Sequence, residues 1–280
     1  MSTESPASHQ AGGASSCPDA GSAGGGPDPW GMTEVLRTLL APVLSDEEAR
    51  AAAVRASRLV LPALTTLGAL RPLLGPWDGI VHRRCRLAAT GPRVHEGPPA
   101  LPLAGRGTAD QGLRADGIPV WSAPAGGWRT LRVRTSSDGC EVTHWLARRD
   151  GDRPAPTAVP TAPSTPVPAE YVLCPEPHGR TGWSLLLRPA DVAGWARATG
   201  DRNALHLVAG AGARAGLAVG AADVVAHGTL LAALSLAAVP TAAADLRFVA
   251  PAAVPPRGVR VQVVACGDVV SAGGVLLRRR

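Results

Sequence analysis

The chain has 280 residues, 45% of them hydrophobic, which suffices for a sizeable core in two small units or one large domain. Its formal net charge of +6 comes from 28 arginines with no lysine, scattered along a sequence only 3% aromatic. No basic helix or stacking platform is visible, and nucleic-acid binding is disfavoured. Five cysteines, odd in number and without a CxxC pair, exclude a disulfide framework and suit a reduced, cytoplasmic protein, and the longest apolar run, Leu230 to Val239, is too short to span a bilayer.

Residues Met1 to Pro29 are Gly, Ser, Ala and Pro with little apolar content, and are expected to form a disordered tail without the basic start and apolar core of a signal peptide. Ser45-Asp46-Glu47-Glu48 is a capping box opening an Ala-rich helix, and Pro62 to Leu70 reads as a second, compact apolar helix stopped by Pro72. Strands are expected at Gly79–Ala89, Trp128–Thr135 and Cys140–Arg148. His82, His95, His144 and His178 have no partner visible in sequence and read as structural or surface groups. Arg153 to Pro168 alternates Pro, Ala and Thr, an extended linker that separates residues 30–149 from residues 170–280.

Beyond the linker, Pro189 suits a first helical turn, Val192, Trp195, Ala196 and Thr199 follow at helical spacing, and Gly200 stops the helix. Asp201 and His206 come next. Five residues apart they would be about 140° out of phase on one helix, so they can face one substrate only from a loop. Asn203 can hold that loop by bonding its own backbone. Asp223 to Ala226 is a short apolar approach to His227-Gly228, and Gly228 to Val239 is a helix apolar all round, closed by Pro240, that must be buried. Its first amides lack intrahelical partners, which places the Gly228 N–H to bind a developing oxyanion. Asp201 and His206 supply an acid/base pair.

Gly200-Asp201-Arg202-Asn203-Ala204-Leu205-His206, then Ala226-His227-Gly228, then Leu246-Arg247-Phe248-Val249-Ala250-Pro251 resemble, in order and spacing, three signature blocks of the MaoC-like, or hydratase 2, group of hotdog-fold enzymes. Those enzymes hydrate trans-2-enoyl thioesters of coenzyme A or acyl carrier protein, or dehydrate (R)-3-hydroxyacyl thioesters. The resemblance is good from Trp183 to Pro251. It implies an α+β double hotdog, an antiparallel sheet wrapped around central helices, with residues 30–149 a degenerate hotdog without the motif and residues 170–280 the catalytic one. It implies a hydro-lyase with Asp201, His206 and Gly228 catalytic, Asn203 and His227 supporting, no cofactor and no metal. The implied partner is an acyl-CoA or acyl carrier protein thioester, in a homodimer or hetero-oligomer. The alternative is a catalytically weak or inactive hotdog that binds acyl thioesters or supports a partner subunit.

The sequence departs from the family at several points. Ala204 replaces the motif's proline, Thr229 stands where methionine is usual, and Leu217–Asp223 adds about four residues beside the expected substrate entrance. Only two strand-like pieces, Gly258–Ala265 and Val269–Arg278, follow Pro251 where the family has three, so the sheet is expected to be a strand short.

Rival readings attach to the same residues. Asp201 alone is a turn residue and His206 alone a half-buried core histidine; with Asn203 and His227-Gly228 beside them a site is favoured. His227 is expected to support the helix start by a hydrogen bond. A metal site of Asp201, His206, Asp223 and His227 matches no standard spacing. Gly210 to Gly216 lacks the strand and the acidic residue of a dinucleotide loop and reads as small-residue packing.

Overall fold

The computed structural model describes residues 26–89, 119–137, 139–150 and 182–280. The expected linker, residues 1–25, His95 and His178 lie outside them. Helix α1 (Pro29–Leu40) begins at Asp28, whose side chain accepts from Trp30 N and whose N–H donates to Ala198 O at 2.7 Å. Asp28 and Pro29, assigned from sequence to the tail, therefore cap a helix that the sequence reading omits; Asp-Pro ahead of the Met32, Leu36, Leu39 and Leu40 spacing is the signal for it.

Helix α2 (Asp46–Leu70) opens with the expected capping box on Ser45 and Glu48. It runs unbroken through Pro62, where two helices were expected. A mid-helix proline costs about 3 kcal/mol. Burial of Leu64, Leu67 and Leu70, at about 1.5–3 kcal/mol each, outweighs it. A single 3-10 turn, Arg71–Leu73, ends the helix. Strands β1 (Val81–Ala89), β2 (Trp128–Ser137) and β3 (Cys140–Arg149) follow where expected.

The second half contains β4 (Trp183–Leu187), α3 (Pro189–Thr199), the single-turn helices α4 (Ala204–Leu207) and α5 (Ala211–Arg214), β5 (Val224–Val225) and α6 (Gly228–Ala238). Strands β6 (Ala244–Phe248), β7 (Ala253–Val254), β8 (Val259–Val263), β9 (Val269–Ser271) and β10 (Gly274–Arg279) complete it. Val269–Arg278 is thus a hairpin and not one strand. The chain reverses at Ala272-Gly273, and Gly274, the first residue of β10, has φ 115°, which a side chain resists. The missing third strand is present.

Eight strands form one antiparallel sheet in the order β2-β3-β1-β6-β10-β9-β8-β4, and β5 and β7 form a separate ribbon. The β1–β6 pairing, with Arg84 opposite Arg247 and Leu87 opposite Ala244, joins the two halves through backbone hydrogen bonds. Helix α6 is buried from Thr229 to Ala237 and packs on α2, while α1 packs on α2 and α3. One hydrophobic core includes Leu36, Val60, Trp195, Leu234, Leu246 and Val261, so both halves share it. No helix among the described residues is long and apolar enough to cross a membrane.

Candidate active site

Helix α3 ends because Gly200 turns left-handed at φ 64°. The chain then enters a turn fastened from outside. Trp77 Nε1 donates to Asp201 Oδ1 at 3.0 Å, and Arg71 donates to Gly200 O while its other guanidinium nitrogen lies 3.5 Å from Asp201 Oδ1. Both side chains come from the N-terminal half, just past α2. Asn203 accepts from Leu205 N at 3.2 Å and Gly79 N at 3.3 Å, donates from Nδ2 to Ile80 O at 3.0 Å, and gives its N–H to Asp201 Oδ1 at 3.2 Å. Its hydrogen bonds run across the two halves as well as within the turn.

Ala204 begins α4, and its N–H donates to Asp78 Oδ1 at 3.1 Å. This accounts for alanine where the family has proline, since proline has no N–H to give. His206 therefore sits on a one-turn helix and not on a loop, yet Asp201 lies outside that helix and the two side chains do converge. His206 Nδ1 lies 2.6 Å from Val225 O in β5. A carbonyl only accepts, so Nδ1 carries the proton and Nε2 keeps its lone pair. Nε2 is 3.9 Å from Asp201 Oδ2.

The β5–β7 ribbon, extended by Ala226 N donating to Ala252 O at 2.9 Å, delivers the chain to α6. His227 occupies the N-cap position without a side-chain cap hydrogen bond, which corrects the expected helix-supporting role. Its ring, 1% exposed, stacks on His206 with centroids 3.5 Å apart, and its Nε2 is also 3.9 Å from Asp201 Oδ2. Neither ring nitrogen has a hydrogen-bond partner among the described residues. A side chain at Gly228 would press on the Phe248 ring at 3.1 Å, so glycine keeps the helix start open. Thr229, in the methionine position, accepts from Trp195 Nε1 at 3.1 Å.

Burial keeps both histidines neutral. It pushes His206 below the usual range against the Asp201 carboxylate, and pushes His227 well below it, reinforced by the adjoining His206 ring. Asp201, His206, Asn203, His227 and Gly228 all line one cavity of about 110 Å³. Asp201, His206 and His227 are close enough to hold a metal ion; Asp223 is not among them and caps Gly220 N at 2.8 Å. The inserted segment contributes Leu217 to the cavity wall.

His82 lines this cavity too, which its sequence context does not reveal. A bulge between His82 and Arg84 turns it inward, where its Nε2 lies 3.2 Å from His144 Nδ1. His144 Nε2 meets Thr66 Oγ1 at 2.7 Å. Burial pushes His82 down to about 4, and burial and then the His82 ring push His144 well below the usual range. Arg71, Trp77 and Asp78 were likewise missed, because nothing in sequence links residues 71–78 to 200–206.

No protein-family model and no curated protein matches the sequence. Among solved structures the chain is similar to a MaoC-like dehydratase, with 14% identity and a TM-score of 0.50 over 91% of this chain and 93% of that one. The fold is a hotdog. Two structures of HtdX from Mycobacterium tuberculosis are also similar, at 15% identity over 82% of this chain and 93% and 94% of theirs, with TM-scores of 0.44 and 0.46. In hotdog terms, α2 and α6 are the central helices and the sheet wraps both.

Proposed function

We propose that the protein is a MaoC-like hydro-lyase that hydrates trans-2-enoyl thioesters to (R)-3-hydroxyacyl thioesters and catalyses the reverse dehydration. The observation that carries this reading is the 3.9 Å gap between Asp201 Oδ2 and His206 Nε2 in a cavity that Gly228 also lines. Two acceptors at that separation suit one water donating a hydrogen bond of about 2.8 Å to each. Its lone pairs then face the cavity. As the water oxygen bonds to C3, one of the pair takes its proton and the pair returns a proton to C2, so one water adds across the double bond. The Gly228 N–H, at the positive end of α6, stabilises the enolate-like thioester oxygen. The thioester supplies the activation, so the chemistry asks for no metal or redox cofactor.

Leu67, Ile80 and Leu146 from the motif-free half line the apolar side of the cavity and would meet the acyl chain. A cytoplasmic location and an acyl-CoA or acyl carrier protein thioester as substrate belong to the same proposal. The small cavity favours the second reading, an acyl-thioester-binding hotdog without turnover. An absorbance assay of purified protein with crotonyl-CoA and longer enoyl-CoAs, followed by chiral analysis of the product, separates the two: turnover supports the enzyme, binding without turnover the alternative.

A further inference from the structure

The outward face of the sheet carries arginines in register on four of five adjacent strands. Arg132 on β2, Arg84 on β1, Arg247 on β6 and Arg278 on β10 form one row, completed on β3 by Trp145. Two residues along, Arg134, Arg86 and Arg280 form a second row with Asp245. Alternation explains the common side: Cys85, Leu87, Leu131, Val133, Leu246 and Leu277 point into the core, so their neighbours point out. All of these arginines but Arg84 are exposed. Among the described side chains, Asp245, paired with Arg84, and Glu141, paired with Arg134, are the carboxylates on this patch. The Asp245 carboxyl is held below its usual range first by Arg84 and further by Arg86 and Arg247, a sign of the positive field there. Arginines that look scattered in the sequence are gathered by strand pairing.

Five strands at about 4.8 Å spacing make the patch about 19 Å wide. A surface that broad suits an acidic protein face better than the compact phosphates of coenzyme A. Trp145, the aromatic on the patch, lies under the Arg84 and Arg132 guanidinium groups at 4.5 and 5.3 Å, so it offers no platform on which a base could stack. A second copy of the chain would set arginine against arginine. The patch also adjoins the cavity: Arg83 and Val249 are exposed residues that line it, and Arg84 and Arg247 are next to Arg83 and Phe248 in the chain.

We infer that this arginine face docks an acidic carrier protein that presents the acyl thioester to the cavity, an inference that rests on the proposed thioester chemistry. Arg pairs bidentately with carboxylates, and a field of one sign raises the association rate of a partner of the other sign.

The test compares the wild type with Arg86→Glu/Arg247→Glu and Arg86→Ala/Arg247→Ala, using a crotonyl thioester of an acyl carrier protein and crotonyl-CoA at low and high salt. The charge-reversal variant should raise KM for the carrier-protein substrate at least tenfold at low salt with kcat unchanged. The alanine pair should raise it less, and kcat/KM for crotonyl-CoA should change by less than threefold in both. Fluorescence anisotropy of a labelled acyl carrier protein gives binding independently of turnover and should show weaker binding in the variants and in high salt. Unchanged KM and unchanged carrier-protein binding in both variants would overturn the docking site while crotonyl-CoA turnover left the hydratase reading standing. Salt-sensitive carrier-protein binding without turnover of either thioester would support the docking site and sink the hydratase reading. Tighter binding of a labelled single-stranded oligonucleotide than of the carrier protein would overturn the choice of partner.

Discussion

Asp201→Asn and His206→Gln probe the pair assigned to the water. Asparagine keeps an Oδ1 that accepts from Trp77 Nε1 and Asn203 N, and loses the charge facing Arg71 at 3.5 Å. Both side chains of that ion pair are partly solvated, at 23% and 14% exposed, so the change should cost about 1–2 kcal/mol of stability, well below the roughly 5–15 kcal/mol of a folded domain. Catalysis should suffer more. Removing a general acid or base costs about 10²–10⁴ in rate, equivalent to about 3–5 kcal/mol of transition-state stabilisation. Glutamine at 206 can still reach toward Val225 O but offers no basic nitrogen beside Asp201. Because both groups hold one water, the double variant should be little slower than either single one. Rates with crotonyl-CoA, with circular dichroism to confirm folding, decide the matter. Near-normal turnover in both single variants, loss only through unfolding, or fully multiplicative losses in the double variant would refute the shared-water arrangement.

Ala204→Pro removes the N–H that donates to Asp78 and places a ring carbon against that carboxylate, outweighing the roughly 0.4–1 kcal/mol gained from a stiffer unfolded chain; thermal melts should show a net loss of about 1 kcal/mol, and a raised Tm would show the Asp78 bond to be dispensable. His82, His144, His206 and His227 all have folded pKa values below their unfolded ones, so the unfolded state takes up protons first on acidification. Stability should therefore be full above about pH 6.5 and fall toward pH 4, by on the order of 2 kcal/mol at pH 5 from His82 alone, and a urea midpoint unchanged between pH 7.5 and 5 would contradict the burial argument. Chelation should leave thioester turnover unchanged; loss restored by a divalent ion would assign Asp201, His206 and His227 to a metal instead.

What the sequence makes legible is local. Helix α3, the stop at Gly200, the buried α6, β1 to β3 and the capping box on α2 are all written in spacing and end residues, because each depends on neighbours a few positions away. The missing pieces depend on packing and on partners distant in sequence. Pro62 breaks a helix by propensity, and the residues buried beyond it, Leu64, Leu67 and Leu70 among them, hold α2 together. Arg71, Trp77 and Asp78 gain meaning from a turn over 120 positions away, His82 from a bulge, and the arginine face from strand register. His227 was misassigned because its helix-start position suggests a cap, while packing turns the ring onto His206.

The most direct measurement is hydration of crotonyl-CoA by the purified protein, followed by chiral analysis of the 3-hydroxybutyryl product. The arrangement of Asp201, His206 and Gly228 around one cavity predicts turnover, and the proposed MaoC-like reaction predicts the (R) product. Formation of only the (S) product, or no turnover of short, medium and long enoyl chains on either coenzyme A or acyl carrier protein, would contradict it.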